Sequence, residues 1–248
     1  MVMLKNKRLY HLVATFGLLG LVGQSYAAGL RSFIALPVDK GGTVIRVGVE
    51  RAGNRQVDSF LTGLAYGISA KQTLLLGMPY RLSPAGENRQ GDLSVLFRQI
   101  INQNDFHSGT GRLGVLGGAI VPTDKNRDAA VQGGFVYTHF QGRHEVDIDA
   151  LYQSGTGKRQ DAGRYDVSWQ YRLSPAERTD WGIAKELNSV LELNGRWKQG
   201  ANTVHQATAG LQWIDQKWVL EGGITQDLNQ IGNNKKERRY LLSARFHF

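Results

Sequence analysis

Arginines and carboxylates at alternate positions are the residues of this sequence whose types and spacing best suit chemistry. In one segment, Arg164 and Asp166 alternate with Tyr165 and Val167. Alternate residues of a β-strand point to the same face, so such a segment collects its charges on one side. Charges that surround a pore can select ions and polar solutes. The candidate pore-lining residues are Arg46, Asp92, Arg98, Arg112, Asp147, Asp149, Arg164, Asp166, Glu192, Arg196, Glu221, Arg239 and Arg245.

The same charges also permit a structural interpretation. Opposite charges on neighbouring strands form cross-strand pairs that stabilise a sheet, and they can do so in the wall of a pore that also selects solutes. The expected partners are Asp147 and Asp149 with Arg164, Glu192 with Arg196, and, where the first strand meets the last, Arg239 or Arg245 with Arg46 and Glu50.

A group of apolar residues is expected on the same inner face of the third to fifth strands. Such residues can offer an apolar wall to a small hydrophobic solute. They can equally pack an occluded interior, because side chains fill much of a narrow barrel. The group consists of Leu75, Leu96, Ile100, Leu116 and Ile120.

Catalytic and metal-binding patterns are weak. A serine hydrolase needs a serine and a histidine within reach of each other, but His107 and Ser108 are sequence neighbours that would point to opposite faces of a strand. His139 and Ser168 lie far apart in strand order, and His144 falls on an expected turn. The histidines show no metal-ligand spacing, cysteine is absent, and no phosphate-binding loop precedes a helix. We therefore expect no metal, no cofactor and no enzymatic activity.

The elements that would position the charges are β-strands. In the last segment, Tyr240, Leu242, Phe246 and Phe248 fall on one face and polar residues on the other. Period-two segments of this kind recur along the chain. The expected strands are 43–51, 57–68, 73–82, 91–102, 110–121, 129–141, 144–154, 163–173, 186–198, 203–213, 217–228 and 237–248, with ten strands as the alternative count.

These segments predict an all-β protein, a single antiparallel transmembrane β-barrel of about twelve strands with short periplasmic turns. An even number of strands places both termini of the chain on the same side of the membrane, the periplasmic one. Residues 102–108 are then one periplasmic turn, and residues 174–185 form a longer connection with room for a helical turn. The other loops are short, which argues against a large plug folded in from a loop.

Composition agrees with a barrel but does not identify one. The chain has 31 glycines, 5 prolines and a mean hydropathy of −0.33, and a barrel looks hydrophilic on this measure because only one face of each strand meets lipid. The net charge of +9 raises the question of nucleic-acid binding. We do not expect it, because the cations are spread singly and cluster only at Lys235, Lys236, Arg238 and Arg239.

The N-terminal residues have the layout of a secretory signal peptide. Lys5, Lys7 and Arg8 precede an apolar stretch over residues 12–23, and residues 25–27 read Ser-Tyr-Ala. The stretch is too short to span a bilayer and ends at small residues suited to cleavage. We expect a signal peptide over residues 1–27, an N-terminal extension over 28–40, located either in the periplasm or inside the barrel, and the barrel over 41–248.

Two resemblances follow from particular residues. The last strand, from Tyr240 through Leu242 and Phe246 to a terminal Phe248, resembles the outer-membrane assembly signal, which implies recognition by the barrel assembly machinery. Residues 61–80, with Gly91–Asp92–Leu93, Glu192–Leu–Asn–Gly195 and Leu220–Glu–Gly–Gly223, are similar to outer-membrane transporters of the phenol meta-pathway type. That resemblance implies a barrel and a role in solute uptake.

Together these observations predict an exported outer-membrane channel or transporter that passes small solutes, with hydrophobic or aromatic ones as candidates, through a charged lumen. Its expected partners are outer-membrane lipid, the barrel assembly machinery and a small permeant that the sequence does not identify. The alternatives are an outer-membrane lipid-modifying enzyme and a structural or adhesive surface barrel.

Overall fold

The chain forms a closed barrel of antiparallel strands, each paired with its neighbours in sequence, with β1 paired to β12. The computed structural model describes residues 29–53, 58–83, 89–177, 185–229 and 236–248. The strands are β1 (Thr43–Ala52), β2 (Asp58–Ser69), β3 (Gln72–Ser83), β4 (Leu93–Phe106), β5 (Gly109–Val121), β6 (Ala130–Gln141), β7 (His144–Gly155), β8 (Ala162–Ser174), β9 (Glu186–Lys198), β10 (Val204–Ile214), β11 (Trp218–Asp227) and β12 (Arg238–His247).

The predicted all-β barrel and its twelve strands are confirmed. The largest error is at β4, which continues to Phe106, so that only His107 and Ser108 remain of the expected turn over residues 102–108. A register shift between Ile100 and Asn102 precedes this extension. Residues 101–105 are exposed on both faces. The alternation of burial is lost there, which explains why a period-two pattern ended the strand too early.

Alternation along each strand separates an apolar outer face from a polar inner face. Leu242 is 63% exposed on the outside, whereas the adjacent Leu241 is 5% exposed inside. Large apolar residues such as Leu193, Trp213 and Ile224 are likewise exposed on the outer face. An outer surface of this kind is stable in lipid and would be unfavourable in water.

The two ends of the barrel differ in the length of their connections. At the end where β1 begins and β12 ends, which we call the terminal end, residues 70–71, 107–108 and 142–143 make two-residue turns, and residues 175–185 make the longest connection. The opposite, loop end carries residues 53–57, 84–92, 122–129, 156–161, 199–203 and 228–237. The start of β1 and the end of β12 thus lie on the same side of the barrel, as expected. The assignment of that side to the periplasm remains a prediction.

Two predictions fall on residues outside the described ranges. They are the signal peptide over residues 1–27 and most of the helical turn over residues 174–185. Within the ranges that are described, no helix has the length and apolar character needed to cross a membrane.

Residues 29–38, which we call the lumenal segment, enter the barrel from the terminal end. Gly41, with φ of +81°, turns the chain ahead of β1, and its amide donates to the carbonyl of Gly67 at 2.7 Å. An L side chain would be strained at that angle. Gly67 must also be glycine, since a Cβ there would lie 2.0 Å from the carbonyl oxygen of Asp39. Leu30, Ala35 and Leu36 of the segment are almost completely buried.

A closed hydrogen-bonded barrel predicts heat-modifiable electrophoretic mobility. The full chain, solubilised in mild detergent and loaded in SDS without boiling, should migrate differently from the boiled sample, because the ladder resists SDS until heated. Identical migration of the two samples would contradict a closed barrel.

Candidate functional site

The lumen has two chemically different walls. The polar wall is formed by β7–β12, where buried inward residues include Asp166, Asn194 and Glu221. The apolar wall is formed by β3–β7, where Leu96, Ile100, Leu116, Val136 and Leu151 cluster with Leu75. The inward direction predicted for Leu75, Leu96, Ile100, Leu116 and Ile120 is confirmed by their shared faces in the strand ladders.

The lumenal segment is bound to both walls through its backbone. The Phe33 amide donates to Asp149 Oδ2 on β7 at 2.7 Å, and the Ala35 amide donates to Thr138 Oγ1 on β6 at 2.8 Å. Arg98 on β4 donates to the carbonyl oxygen of Leu36 at 2.7 Å. These bonds satisfy peptide groups that have no strand partner and would otherwise be buried without one.

Side chains of the lumenal segment fit specific places in the wall. Leu30 packs with Val190 and Leu241, and a Cβ on Gly210 or Gly223 would lie 2.5 or 2.7 Å from its Cδ1 atom. The two glycines pair across β10 and β11 on the inner face. They therefore form a notch that receives Leu30. Gly223 belongs to one of the glycine motifs that carried the family resemblance.

The barrel closes around one buried carboxylate. Glu221 on β11 accepts hydrogen bonds from Arg46 Nη2 on β1 at 2.8 Å and from Gln212 Nε2 on β10 at 3.1 Å. It also accepts from Ser243 and Arg245 on β12. One carboxylate thus joins four strands and spans the seam between β1 and β12. The expected approach of Arg245 to Arg46 is confirmed, and Glu221 is the acid between them.

A second set of charges lies on β7–β9. Arg164 and Arg196, which we call the arginine pair, stand directly opposite each other across β8 and β9. Asp166 lies beneath them and accepts from Nη1 of both, at 3.0 Å in each case. Asp149 is 3.4 Å from Arg164 Nη2. The two buried acids hold two like charges side by side that would otherwise repel each other.

The structure corrects two of the expected ion pairs. Arg196 pairs with Asp166, while Glu192 accepts from the amide of Arg31 at 3.1 Å. Asp147 bonds Thr138 Oγ1 at 2.6 Å and Gln170 Nε2 at 2.9 Å instead of Arg164. Glu192 and Arg196 share a face of β9 but are four residues, about 13 Å, apart, so they do not meet. Asp147 stands opposite Ser168, four residues from Arg164, because barrel shear decides which neighbour on the next strand is within reach.

Most predicted pore-lining residues do face the lumen, and Asp92 does not. Asp92 precedes β4 in the loop end and pairs with Arg127 at 2.8 Å and Arg159 at 2.7 Å. It joins three connections at the rim. The residues that share the inner face are Arg46, Arg98, Arg112, Asp147, Asp149, Arg164, Asp166, Glu192, Arg196, Glu221, Arg239 and Arg245.

The rim contacts also shift the titration of Asp92. Partial burial raises its pKa, but hydrogen bonds from Arg159 and Arg127 outweigh burial and leave the pKa below the ordinary value of 3.8. Because the pKa of Asp92 is lowered in the folded state, its contacts stabilise the rim fully at any pH above the ordinary pKa of 3.8. This stabilisation is lost only as the pH falls through the lowered pKa.

A cavity of about 550 Å³, which we call the outer vestibule, lies above Phe33 on the side of the loop end. Leu61, Leu75, Leu96 and Leu151 contribute to one part of its lining. The arginine pair lines another part. The cavity extends to Gln153 and Ala162, the last inward-facing pair before the connection between β7 and β8.

Among the described residues, the serine and histidines that the sequence offered are not brought together as a hydrolase would need. Ser168 is fully buried on the inner face, whereas His139 stacks on Phe106 and His144 on Trp169. Ser168 lies opposite Asp147 in the lumen, and Trp169 lies on the other face of the same strand. Among the described residues no group of three or more possible ligands could hold a metal ion.

The lumenal segment is the main feature that sequence reasoning did not place. A signal was present: Leu30, Phe33, Ile34 and Leu36 form an apolar run in a stretch that fits no strand. Four apolar residues outside the wall of a barrel need another surface to bury them. The sequence left the segment either in the periplasm or in the barrel, and the structure places it in the barrel.

Comparison with known proteins supports the fold. No protein-family model and no curated protein sequence matches the chain. Several solved structures resemble it in fold. The "KdgM porin" has a TM-score of 0.56 at 8% identity, over 83% of this chain and 99% of that one. The "COG4313 outer membrane channel from Pseudomonas putida F1" has a TM-score of 0.56 at 16% identity, over 86% and 98% of the two chains. The "NanC porin" has a TM-score of 0.55 at 13% identity, over 82% and 98% of the two chains. At these identities the likeness shows the outer-membrane barrel fold alone.

The seam contact makes a stability prediction. Glu221→Gln should lower the free energy of unfolding by about 3 kcal/mol, because the fully buried carboxylate is lost to the buried guanidinium of Arg245 and to the partly exposed one of Arg46. Arg239→Gln is the control, since its contacts with Glu50 and Glu237 are partly exposed and should contribute at most about 1 kcal/mol. Urea titration followed by unboiled mobility measures both. Equal effects of the two changes would show that Glu221 has no special role in closure.

The rim contact makes a proteolysis prediction. Asp92→Asn should increase trypsin cleavage after Lys125, Arg127, Lys158 or Arg159 several-fold at pH 8, because two loops lose their common carboxylate. The control is Asp124→Asn in one of the same loops, where Asp124 Oδ1 accepts only a local bond from the Asn126 amide at 2.8 Å. Peptide mapping by mass spectrometry identifies the cut sites. Unchanged cleavage in Asp92→Asn would overturn this role.

Proposed function

We propose that the chain is an outer-membrane channel for small solutes, with its lumen occupied by the lumenal segment in this conformation. One observation carries the proposal. Residues 29–38 lie inside the barrel, outside the strands, and bury Leu30, Ala35 and Leu36 against its inner wall. Removing that stretch would leave a passage lined by polar residues on one side and apolar residues on the other.

The attachment of the segment supports a reversible role. Its backbone is held by individual hydrogen bonds to Arg98, Thr138 and Asp149, and it is covalently joined to the barrel only at β1. A segment attached at one end and bonded to polar groups can exchange those bonds for water as it withdraws. Leaving would expose Leu30 from its notch, which favours the bound position at rest.

The apolar outer face and the likeness to outer-membrane channels in fold support the location in the outer membrane. Uptake of the phenol meta-pathway type is the finer form of the proposal, and its support is the resemblance in residues 61–80 together with the apolar wall. The enzymatic alternative has less support, since the described serine and histidine residues form no pair. The short connections at the loop end offer little surface for the adhesive alternative.

Conductance tests the channel and its occlusion. A variant lacking residues 30–37 should conduct several-fold better than the full chain in planar bilayers, because the lumen loses its central obstruction. Deletion of residues 231–234 in a loop is the matched control and should leave conductance close to that of the full chain. If neither chain conducts although both keep heat-modifiable mobility, the channel proposal fails.

Selectivity tests the lumenal charges. Arg196→Glu in the variant lacking residues 30–37 should move the reversal potential in a salt gradient towards cation selectivity, since two charge units change inside the pore. Arg143→Glu makes the same change in a turn at the terminal end and should have a smaller effect. A shift of equal size in both would show that Arg196 does not face the conducting path.

A further inference from the structure

The outer vestibule combines two kinds of surface that a solute needs for recognition. Leu61 is 37% exposed although it lies on the inner face, opposite Gly48 and Pro79. Leu75 and the Phe33 ring, which pack over the buried Leu96, continue this surface towards the lumenal segment. An apolar surface that stays exposed inside a barrel gains free energy when an apolar solute covers it.

The charged part of the lining is entirely cationic among the described residues. Arg164 and Arg196 line the vestibule, and no carboxylate does. Their acidic partners Asp149 and Asp166 are fully buried behind them. The cavity therefore presents positive groups to a solute while the compensating negative charge stays out of contact.

The arginine pair keeps donors available on the cavity side. Arg196 uses Nη1 for Asp166 and for the carbonyl oxygen of Gly195, and a third of its side chain is exposed. Arg164 lies over the Phe33 ring, 4.1 Å from guanidinium carbon to ring centre, and a fifth of its side chain is exposed. A guanidinium has five N–H donors and binds carboxylates through two of them at once.

The vestibule owes part of its volume to Gly77, one of its lining residues. Gly63 and Gly77 face each other across β2 and β3 on the inner face. A Cβ at Gly77 would meet nothing closer than the Thr62 carbonyl oxygen at 3.8 Å, so packing of the wall does not require glycine there. A volume of about 550 Å³ lies within the range of small-molecule sites.

We propose that the outer vestibule is a binding site for small amphiphilic carboxylates. The carboxylate binds Arg164 and Arg196, and the apolar body of the solute covers Leu61, Leu75 and Phe33. A neutral apolar molecule would leave the cationic side without a partner, and a small polar anion would leave the apolar side exposed. The proposal names the substrate class of the channel and so rests on the proposed function.

Isothermal titration of the full mature chain in mild detergent tests the site, with empty micelles as the blank. Benzoate should bind saturably. Benzamide, which has the same ring without the charge, and acetate, which has the charge without the ring, should each bind at least about tenfold more weakly, a difference of about 1.4 kcal/mol.

Two variants and two controls locate the binding. Arg196→Gln should weaken benzoate binding at least about tenfold, and Gly77→Leu should abolish it by filling the cavity. Arg143→Gln removes a charge from the terminal end, and Gly117→Leu adds a side chain to the outer face, where nothing lies within 4 Å. Both controls should bind benzoate as the unchanged protein does, and heat-modifiable mobility verifies that all four variants fold.

Two outcomes overturn the site. Equal binding of benzoate and benzamide would show that no cationic group recognises the solute, and unchanged binding in Gly77→Leu would place benzoate elsewhere. Conductance on the same preparations separates this proposal from the previous one. Conductance without benzoate binding by the full chain refutes the site and keeps the channel. Benzoate binding by the full chain, with no conductance in the variant lacking residues 30–37, keeps the site and refutes the channel.

Discussion

The antiparallel ladder between β1 and β12 is the constraint on which the rest of the structure depends. A strand inside lipid cannot leave its peptide groups unpaired, so the sheet must close on itself. Closure fixes which face of every strand points inward. The outward face then has to be mainly apolar, and most charges of the strands collect inside. The polar interior is thus a consequence of closure. Glu221 is part of that interior and also helps to close the barrel, because it lies in the lumen at the seam between β1 and β12.

The collected charges would be costly to bury without partners. The cost of burial is reduced because one acid pairs with two arginines. Glu221 pairs with Arg46 and Arg245, and Asp166 pairs with Arg164 and Arg196. The lumenal segment supplies further partners from its backbone. Polar wall, apolar wall and lumenal segment are therefore parts of one arrangement, in which the segment fills space and also satisfies hydrogen-bonding groups that the strands alone leave unpaired.

Sequence reasoning predicted the strands well because a lipid-facing strand has to alternate. The pattern located β12 by Tyr240, Leu242 and Phe246, and it placed Leu75 and Leu96 on the inner face. It failed where alternation carries no information. Residues 101–105 are exposed on both faces, and Asp92 precedes the first residue of its strand. The partner of Arg196 depends on barrel shear, which no single strand encodes.

The lumenal segment also bears on how the chain reaches this state. Residues 29–38 precede β1 yet lie inside a wall whose last strand is the final one made. Leu30 contacts β9, β11 and β12 together with β10, so its site is complete only when the C-terminal strands are in place. The segment must then either be present as the wall curls around it or enter from the terminal end afterwards. In both cases residues 29–38 are among the last to reach their final contacts, although they leave the ribosome before any of the strands.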